Sequence, residues 1–247
     1  MAGHSKWKNI QARKSVQDKK KGKVFTKVTK EIMLAAKQGG GDPDINARLR
    51  SAIAAAKAVN LPKDKIDTAL KKGTGELGGE ALDEITYEGY GPGGVAILVD
   101  AATDNRNRTV ADIRHIFSKN GGNLGESGCV AWMFDKKGLI SFDKASYTEE
   151  QLLEAGLEAG VEDIRDDGEM WEVSTTQENF QAVLDAYAAA GFSAQNEEVT
   201  MVPQTLVPVD EEAGRKIIRL MEALEDYDDV QDVYVNCDFP EELMQDE

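Results

Sequence analysis

The sequence predicts an α+β protein of three domains: an N-terminal three-helix domain and two ferredoxin-like α/β domains, one inserted in the other. Apolar residues recur at helical spacing up to residue 73, and a β-α-β-β-α-β pattern occupies residues 138–202. Incomplete strand–helix patterns flank that unit on both sides. The predicted domains are residues 1–78 (with a linker), residues 79–136 with 206–247 (a discontinuous α/β domain), and residues 137–205 (the insertion).

The first domain is predicted to hold three helices. The first covers residues 22–37. The second starts with Asp42 as its N-cap and Pro43 at the first helical position, and the third covers residues 62–73. A glycine-rich linker at residues 73–79 then separates a basic region from an acidic one.

The remaining chain alternates strand and helix patterns. Strands are predicted at residues 95–101, 129–134, 138–142, 161–165, 170–175, 199–202 and 230–235, with further helices at 180–188 and 217–224. Thr109 is the predicted N-cap of the first intervening helix, and Thr148 forms a capping box with Gln151 at the second. Residues 87–94 are interpreted as a tight turn or, alternatively, as a loop that faces RNA.

Positive charge is concentrated in the first third of a chain whose net charge is −16. Residues 1–78 contain eighteen Lys/Arg against seven Asp/Glu, which leaves a net charge of −27 on residues 79–247. Such asymmetry indicates contact of the basic part with nucleic acid or a membrane. A membrane surface is disfavoured because the basic stretch lacks a wide apolar face, and no apolar run approaches the roughly 20 residues of a membrane span.

The candidate nucleic-acid-binding residues are mostly lysines near the N-terminus. They are Lys6, Lys8, Arg13, Lys14, Lys19, Lys20, Lys21, Lys23, Lys27 and Lys30. Their density suits binding to backbone phosphates, and Trp7 is a candidate for stacking on bases. The alternative is a solvated, lysine-rich surface. Arg48 and Lys57, with Arg50 nearby, extend the basic face or form an ordinary exposed helix surface.

Arg106 and Arg108 stand out because they lie in an acidic region, close to the start of a predicted helix. A helix N-terminus with arginines is suited to bind a phosphate or another anion. The alternative is that both arginines pair with the surrounding carboxylates, and the sequence leaves the two interpretations open.

No catalytic or metal site is predicted, and no cofactor is expected. The chain has two histidines, His4 and His115, and no Cys/His cluster with zinc spacing or nucleophile motif. Cys129 and Cys237 lie far apart in hydrophobic runs. They are expected to be reduced, buried thiols of a cytoplasmic protein, with a disulfide between them as the less favoured alternative.

Several strings taken together carry a resemblance to a known family: Ala2–Trp7, Tyr87–Gly94, Thr103–Thr109, Gly121–Gly125 and Val130–Phe134. They resemble the YebC family, whose mitochondrial members are called translational activators of cytochrome oxidase. The resemblance implies three domains, one α/β domain being inserted in another. It also implies a cytoplasmic role in gene expression, either as a DNA-binding transcriptional regulator or as a ribosome-associated translation factor.

The sequence therefore predicts a non-catalytic, nucleic-acid-binding regulator whose target is DNA or rRNA. No helix carries an obvious set of Asn, Gln and Arg for base edges, which favours backbone or structured-RNA binding. An acidic protein–protein adaptor without nucleic-acid contact is the main alternative, and an enzyme would need a site that the sequence does not show. The oligomeric state stays open.

Overall fold

A computed structural model describes residues 19–78, 82–240 and 243 of the 247-residue chain, with side chains from residue 22 onward. The helices are α1 (Lys19–Gly39), α2 (Ala47–Ala58), α3 (Lys63–Gly73), α4 (Arg106–Lys119), α5 (Glu149–Gly156), α6 (Phe180–Ala189) and α7 (Glu211–Glu225). The strands are β1 (Asp83–Tyr90), β2 (Ala96–Thr103), β3 (Asn123–Leu124), β4 (Phe134–Asp143), β5 (Val161–Asp167), β6 (Met170–Thr176), β7 (Asn196–Pro203), β8 (Val207–Pro208), β9 (Val230–Val235) and β10 (Cys237–Asp238).

The helices α1, α2 and α3 pack around a core of their own. Ile32, Leu49 and Ile66, one from each helix, are buried in that core. The helical spacing that predicted three helices is confirmed. The first helix continues to Gly39, two residues beyond its predicted end.

The predicted start of the second helix is wrong. The helix begins at Ala47, and its N-cap is Asn46, whose side chain accepts a hydrogen bond from the Leu49 N–H at 3.0 Å. The Asn46 amide also donates to the Ala35 and Gly40 carbonyls, both at 2.8 Å. One side chain thus serves the end of α1 and the start of α2. Asp42 and Pro43 satisfy the local capping rules, but this contact between the two helices decides the boundary.

The inserted domain has the predicted β-α-β-β-α-β order. Its sheet runs β5-β6-β4-β7, and every neighbouring pair is antiparallel. α5 and α6 cover one face, where Phe142, Leu152 and Tyr187 are buried. This strand order is that of the ferredoxin-like motif. The capping box of Thr148 and Gln151 is confirmed at the start of α5.

The outer α/β domain is built from segments on both sides of the insertion. Its sheet runs β3-β1-β2-β9, again with antiparallel neighbours. α4 and α7 pack together on one face through Ile113, Phe117, Ile217 and Leu220. The incomplete pattern before the insertion is therefore completed by the C-terminal helix and strand, as predicted.

Residues 87–94, interpreted as a tight turn or an RNA-facing loop, are half strand. β1 extends to Tyr90 and pairs with β2 along its whole length, so only residues 91–94 make the turn. Position 89 within this strand requires glycine, because a Cβ there would lie 2.7 Å from the Asn123 carbonyl oxygen and 2.8 Å from the Phe117 ring. The Tyr90 hydroxyl donates to the Cys129 carbonyl at 3.1 Å, so it is directed into the protein rather than towards a ligand.

The prediction of a strand at residues 129–134 is also wrong. The backbone N–H groups at the start of this segment bond to a side chain and not to a neighbouring strand. The buried Glu88 carboxylate accepts hydrogen bonds from the N–H groups of Gly128, Val130 and Ala131 at 2.6–2.8 Å. These bonds lower the pKa of Glu88 against the opposing effect of its burial. The backbone forms a loop and a short 3-10 turn there, and β4 begins only at Phe134.

Thr109 is not the N-cap of α4. Asn105 is the cap and accepts a hydrogen bond from the Arg108 N–H at 3.1 Å, whereas Thr109 lies inside the helix and is fully buried. Cys129 and Cys237 form no disulfide with a described residue; Cys237 is buried as expected, whereas Cys129 is only partly buried. Within the described ranges, every helix is too short or too polar to cross a membrane.

Candidate nucleic-acid interface

Three of the predicted nucleic-acid-binding lysines form a row along α1, called here the cation stripe: Lys23, Lys27 and Lys30. Their spacing of four and three residues places them on one side of the helix. That side faces the turn between α7 and β9, residues 226–229, called here the acidic turn. The row therefore contacts the outer α/β domain of the same chain.

Each lysine of the cation stripe is bonded to oxygen atoms. The Lys23 ammonium contacts the carboxylate of Asp226 at 2.7 Å and its carbonyl at 3.0 Å. Lys27 donates to the Gln231 carbonyl at 2.9 Å. Lys30 donates to the carbonyls of Ala102 and Asp228 at 3.0 and 2.9 Å, and to the carboxylate of Asp229 at 2.7 Å.

Asp229 is the centre of this contact and is a buried carboxylate. Besides Lys30 it accepts hydrogen bonds from Arg108 at 2.8 Å and from the hydroxyls of Thr109 and Thr103 at 2.8 and 3.2 Å. Burial alone would raise its pKa. The bonds from Lys30, Arg108 and Thr109 outweigh that effect and hold the pKa of Asp229 well below its usual range.

Arg48 joins the helical domain to the first strand of the outer domain. Its guanidinium binds both oxygens of Glu31 at 2.7 and 2.9 Å and both oxygens of Glu84 at 2.7 and 3.1 Å. Hydrogen bonds to the two carboxylates raise the pKa of Arg48 further above its usual range. Arg48 is thus a bridge between domains in this structure.

Arg106 and Arg108 pair with carboxylates, which is the second of the two interpretations that the sequence left open. Arg106 contacts Asp83 at 2.9 Å, and this hydrogen bond lowers the pKa of Asp83. Arg108 contacts Asp104 at 2.9 Å in addition to Asp229.

The other predicted contact residues lie beyond the described side chains. Lys6, Trp7, Lys8, Arg13 and Lys14 precede the described residues, and Lys19, Lys20 and Lys21 lie in the first turn of α1, where only the backbone is described. All six predicted residues with described side chains already have partners within the chain. They are Lys23, Lys27, Lys30, Arg48, Arg106 and Arg108.

A second set of cations, on α2 and α3, is exposed and makes no ion pair with any described residue. It is called here the open cation set and consists of Arg50, Lys57, Lys63, Lys65, Lys71 and Lys72. The Arg50 guanidinium donates to the carbonyls of Pro43 and Asp44, and Lys65 lies 5.8 Å from the centre of the Phe25 ring. The sequence indicated Arg50 and Lys57 as an extension of the basic face but missed the four lysines of α3. Their density is lower than in the N-terminal stretch, and they alternate with Asp64 and Asp67.

Among the described residues, no group of three His, Cys, Asp or Glu side chains is arranged to hold a metal ion. His115 lies on the exposed side of α4, where the sequence placed it.

Comparison with known proteins assigns nearly the whole chain to one family. Residues 5–76 match the model of the TACO1/YebC protein N-terminal domain, and residues 82–237 match that of the TACO1/YebC second and third domain. Proteins named "probable transcriptional regulatory protein" from Solidesulfovibrio magneticus and Maridesulfovibrio salexigens are 64% and 62% identical over 244 residues. These matches cover 99% of this chain and 100% and 98% of the relatives.

A solved structure has the same fold. It is the crystal structure of the conserved hypothetical protein Aq1575 from Aquifex aeolicus, which is 45% identical with a TM-score of 0.81. The similarity covers 93% of this chain and 95% of that one. The sequence motifs, the three-domain architecture and these matches agree that the chain belongs to the TACO1/YebC family.

Proposed function

We propose that this chain is a nucleic-acid-binding, non-catalytic regulator of gene expression that contacts a phosphate backbone through its helical domain. The relatives named as transcriptional regulators support the regulatory role. The observation that supports the contact surface is the open cation set. These six exposed charges lie in the same domain as the basic N-terminal segment, whereas residues 79–247 carry a net charge of −27.

The composition of α2 and α3 favours backbone contact over reading of bases. Neither helix contains Asn or Gln, the residues that pair with adenine edges, and Arg50 is the one exposed arginine on them. Lysines bind phosphates as point charges, and contacts to phosphates carry no direct sequence information. The target is therefore either DNA or rRNA, and ribosome association through rRNA belongs to the second case.

The proposed contact residues combine the N-terminal segment with the open cation set. They are Lys6, Lys8, Arg13, Lys14, Lys19, Lys20, Lys21, Arg50, Lys57, Lys63, Lys65, Lys71 and Lys72, with Trp7 as a stacking residue.

Charge reversal of three residues of the open cation set tests the proposal in the full-length protein. The variant Arg50→Glu/Lys57→Glu/Lys71→Glu is expected to bind RNA and DNA hairpins of the same stem sequence at least about tenfold more weakly than wild type. Wild-type binding with about five phosphate contacts has a slope of log K against log salt near −4, and the variant has a shallower slope. Fluorescence anisotropy at several salt concentrations measures both.

The matched control reverses three exposed cations of the outer domain, Arg114→Glu/Lys119→Glu/Arg219→Glu, with the same change in total charge. It is expected to bind nearly as wild type. Equal losses in both variants would contradict a localised surface. Tighter binding of one hairpin distinguishes RNA from DNA. Co-sedimentation with ribosomes that survives both RNase and the triple reversal would favour the acidic adaptor instead.

A further inference from the structure

In the contact between the cation stripe and the outer domain, the lysines bond to oxygen atoms that phosphate oxygens can replace. Among the described residues, the three ammonium groups are bonded only to carbonyl and carboxylate oxygens. A nucleic-acid backbone offers the same chemistry, namely anionic oxygens arranged in a row. The acidic turn thus occupies a row of lysines whose spacing and charge suit a polyanion.

The apolar part of this contact between domains is small. Among the described residues, the buried apolar cluster that spans both domains consists of Leu34, Leu82 and Ala102, with Met33 packed against them. The core of the helical domain, which contains Ile32, lies among its own three helices. Separation of the two domains therefore leaves that core intact. It breaks the Arg48–Glu84 bridge and the mostly buried Lys30–Asp229 pair, whereas exposed ion pairs such as Lys23–Asp226 add only about 0–1 kcal/mol each.

The acceptors of the outer domain remain satisfied when the lysines leave. Asp229 keeps its hydrogen bonds from Arg108, Thr109 and Thr103, all of which belong to the outer domain. The Asp226 side chain is 74% exposed and is hydrated at once. Neither side of the contact is left with a buried, unpaired charge, the outcome that makes a broken ion pair costly.

We propose that the cation stripe is a covered polyanion-binding surface, and that a nucleic-acid backbone displaces the acidic turn and takes its place on Lys23, Lys27 and Lys30. The acidic turn acts as an internal competitor that weakens binding until the polyanion is held by the open cation set. This inference rests on the proposed function, because it adds contacts to the same domain.

Lys27→Gln is the first test because, among the described residues, Lys27 bonds only to a backbone carbonyl, so its removal leaves no described carboxylate unpaired. If the stripe is uncovered on binding, the slope of log K against log salt for an RNA or a DNA hairpin becomes shallower by about 0.9 relative to wild type. The control Lys216→Gln, on the exposed side of α7, keeps the wild-type slope. If the wild type binds the hairpin but Lys27→Gln has the same slope as the wild type, the inference is overturned and the proposed function stands. Absence of wild-type binding would instead refute the proposed function itself.

Removal of the competitor gives the opposite effect on affinity. Asp229→Asn is expected to bind the hairpin about fivefold more tightly, in the range of ordinary coupling between sites. Asp228→Asn makes the same change in charge on the exposed neighbouring side chain, which makes no ion pair with any described residue, and is expected to change affinity less than twofold. Equal affinities of the two variants would contradict competition by Asp229.

A distance measurement keeps the test decisive if Asp229→Asn does not fold. Fluorophores at Ser51→Cys on α2 and Ser118→Cys on α4, both exposed positions, report the separation of the two domains in a Cys129→Ser background. Energy transfer is expected to fall when the hairpin is added. At a hairpin concentration below saturation, the fall is expected to be smaller in high salt. Unchanged transfer at saturating hairpin would refute displacement of the acidic turn.

Discussion

The cations of α1 and those of α2 and α3 belong to one small domain but have different surroundings. On α1, Lys23, Lys27 and Lys30 contact the outer domain through carbonyl and carboxylate oxygens. On α2 and α3, residues such as Lys57 and Lys71 are exposed and make no ion pair with any described residue. Charge density along the sequence therefore does not indicate which charges are accessible. Residues 23–30 hold three lysines that are all paired, whereas the four lysines of residues 63–72, at a similar density, make no ion pair with any described residue.

The difference also shows how one domain can hold two kinds of basic surface. The paired lysines fix the orientation of the helical domain on the outer domain, while the unpaired ones remain available to a partner. Asp229 connects the two domains because it binds Lys30 from one and Arg108 from the other. Three measurements test this difference between the paired and the unpaired cations.

The largest effect on stability is expected at Asp229. Asp229→Ala leaves Lys30, Arg108 and two hydroxyls without their shared acceptor in a buried setting, and is expected to lower the free energy of unfolding by about 3 kcal/mol. Urea denaturation of full-length protein measures it. A loss below about 1 kcal/mol would mean that water replaces the carboxylate without cost.

The same carboxylate predicts an acid-dependent loss of stability. Its pKa is lower in the folded than in the unfolded protein, so its contribution is fully present above the unfolded value of about 3.9. The contribution is lost as the pH falls through that range towards the folded pKa, by on the order of 1–2 kcal/mol. The difference in unfolding free energy between wild type and Asp229→Asn should therefore shrink below pH of about 4. A constant difference would show that the charge of Asp229 has no part in stability.

The smallest effect is expected from single lysines of the two sets. Lys23→Gln removes a half-exposed ion pair and is expected to cost about 0.5 kcal/mol, whereas Lys57→Gln removes an unpaired charge and is expected to change stability by less than about 0.3 kcal/mol. For binding to a hairpin at low salt the order is reversed, because Lys23→Gln also removes bonds that hold the acidic turn in place, which offsets part of the lost phosphate contact. Equal effects of both substitutions in both assays would remove the distinction between the sets.

Much of the fold is predictable from local pattern. The three helices of the first domain follow from apolar spacing and glycine stops, and the inserted domain follows from its strand–helix order. The errors share one cause. Asn46, Glu88 and Asn105 each accept hydrogen bonds from backbone N–H groups that the local pattern assigned to other partners. A side chain that caps a neighbouring segment leaves no periodic signal in the segment it caps.

The candidate site is less predictable than the fold. The sequence identified a basic N-terminal domain, but it could not separate Lys30, which is bonded to Asp229, from Lys71, which is exposed. The two residues have the same chemistry and differ only in which groups of the folded protein lie next to them. Asp229 is about 200 residues away from Lys30 along the chain, so no window of sequence contains both partners.

By itself, the sequence determined that a basic helical domain precedes an acidic α/β body with a ferredoxin-like insertion, because charge content and apolar periodicity are properties of short segments. The tertiary structure alone decided which cations are covered, since that depends on the packing of α1 against residues 226–231. Three lysines of the helical domain contact the outer domain, and six other cations of the helical domain are exposed. The physical reason is that the strength of an ion pair depends on distance in space and not on separation along the sequence.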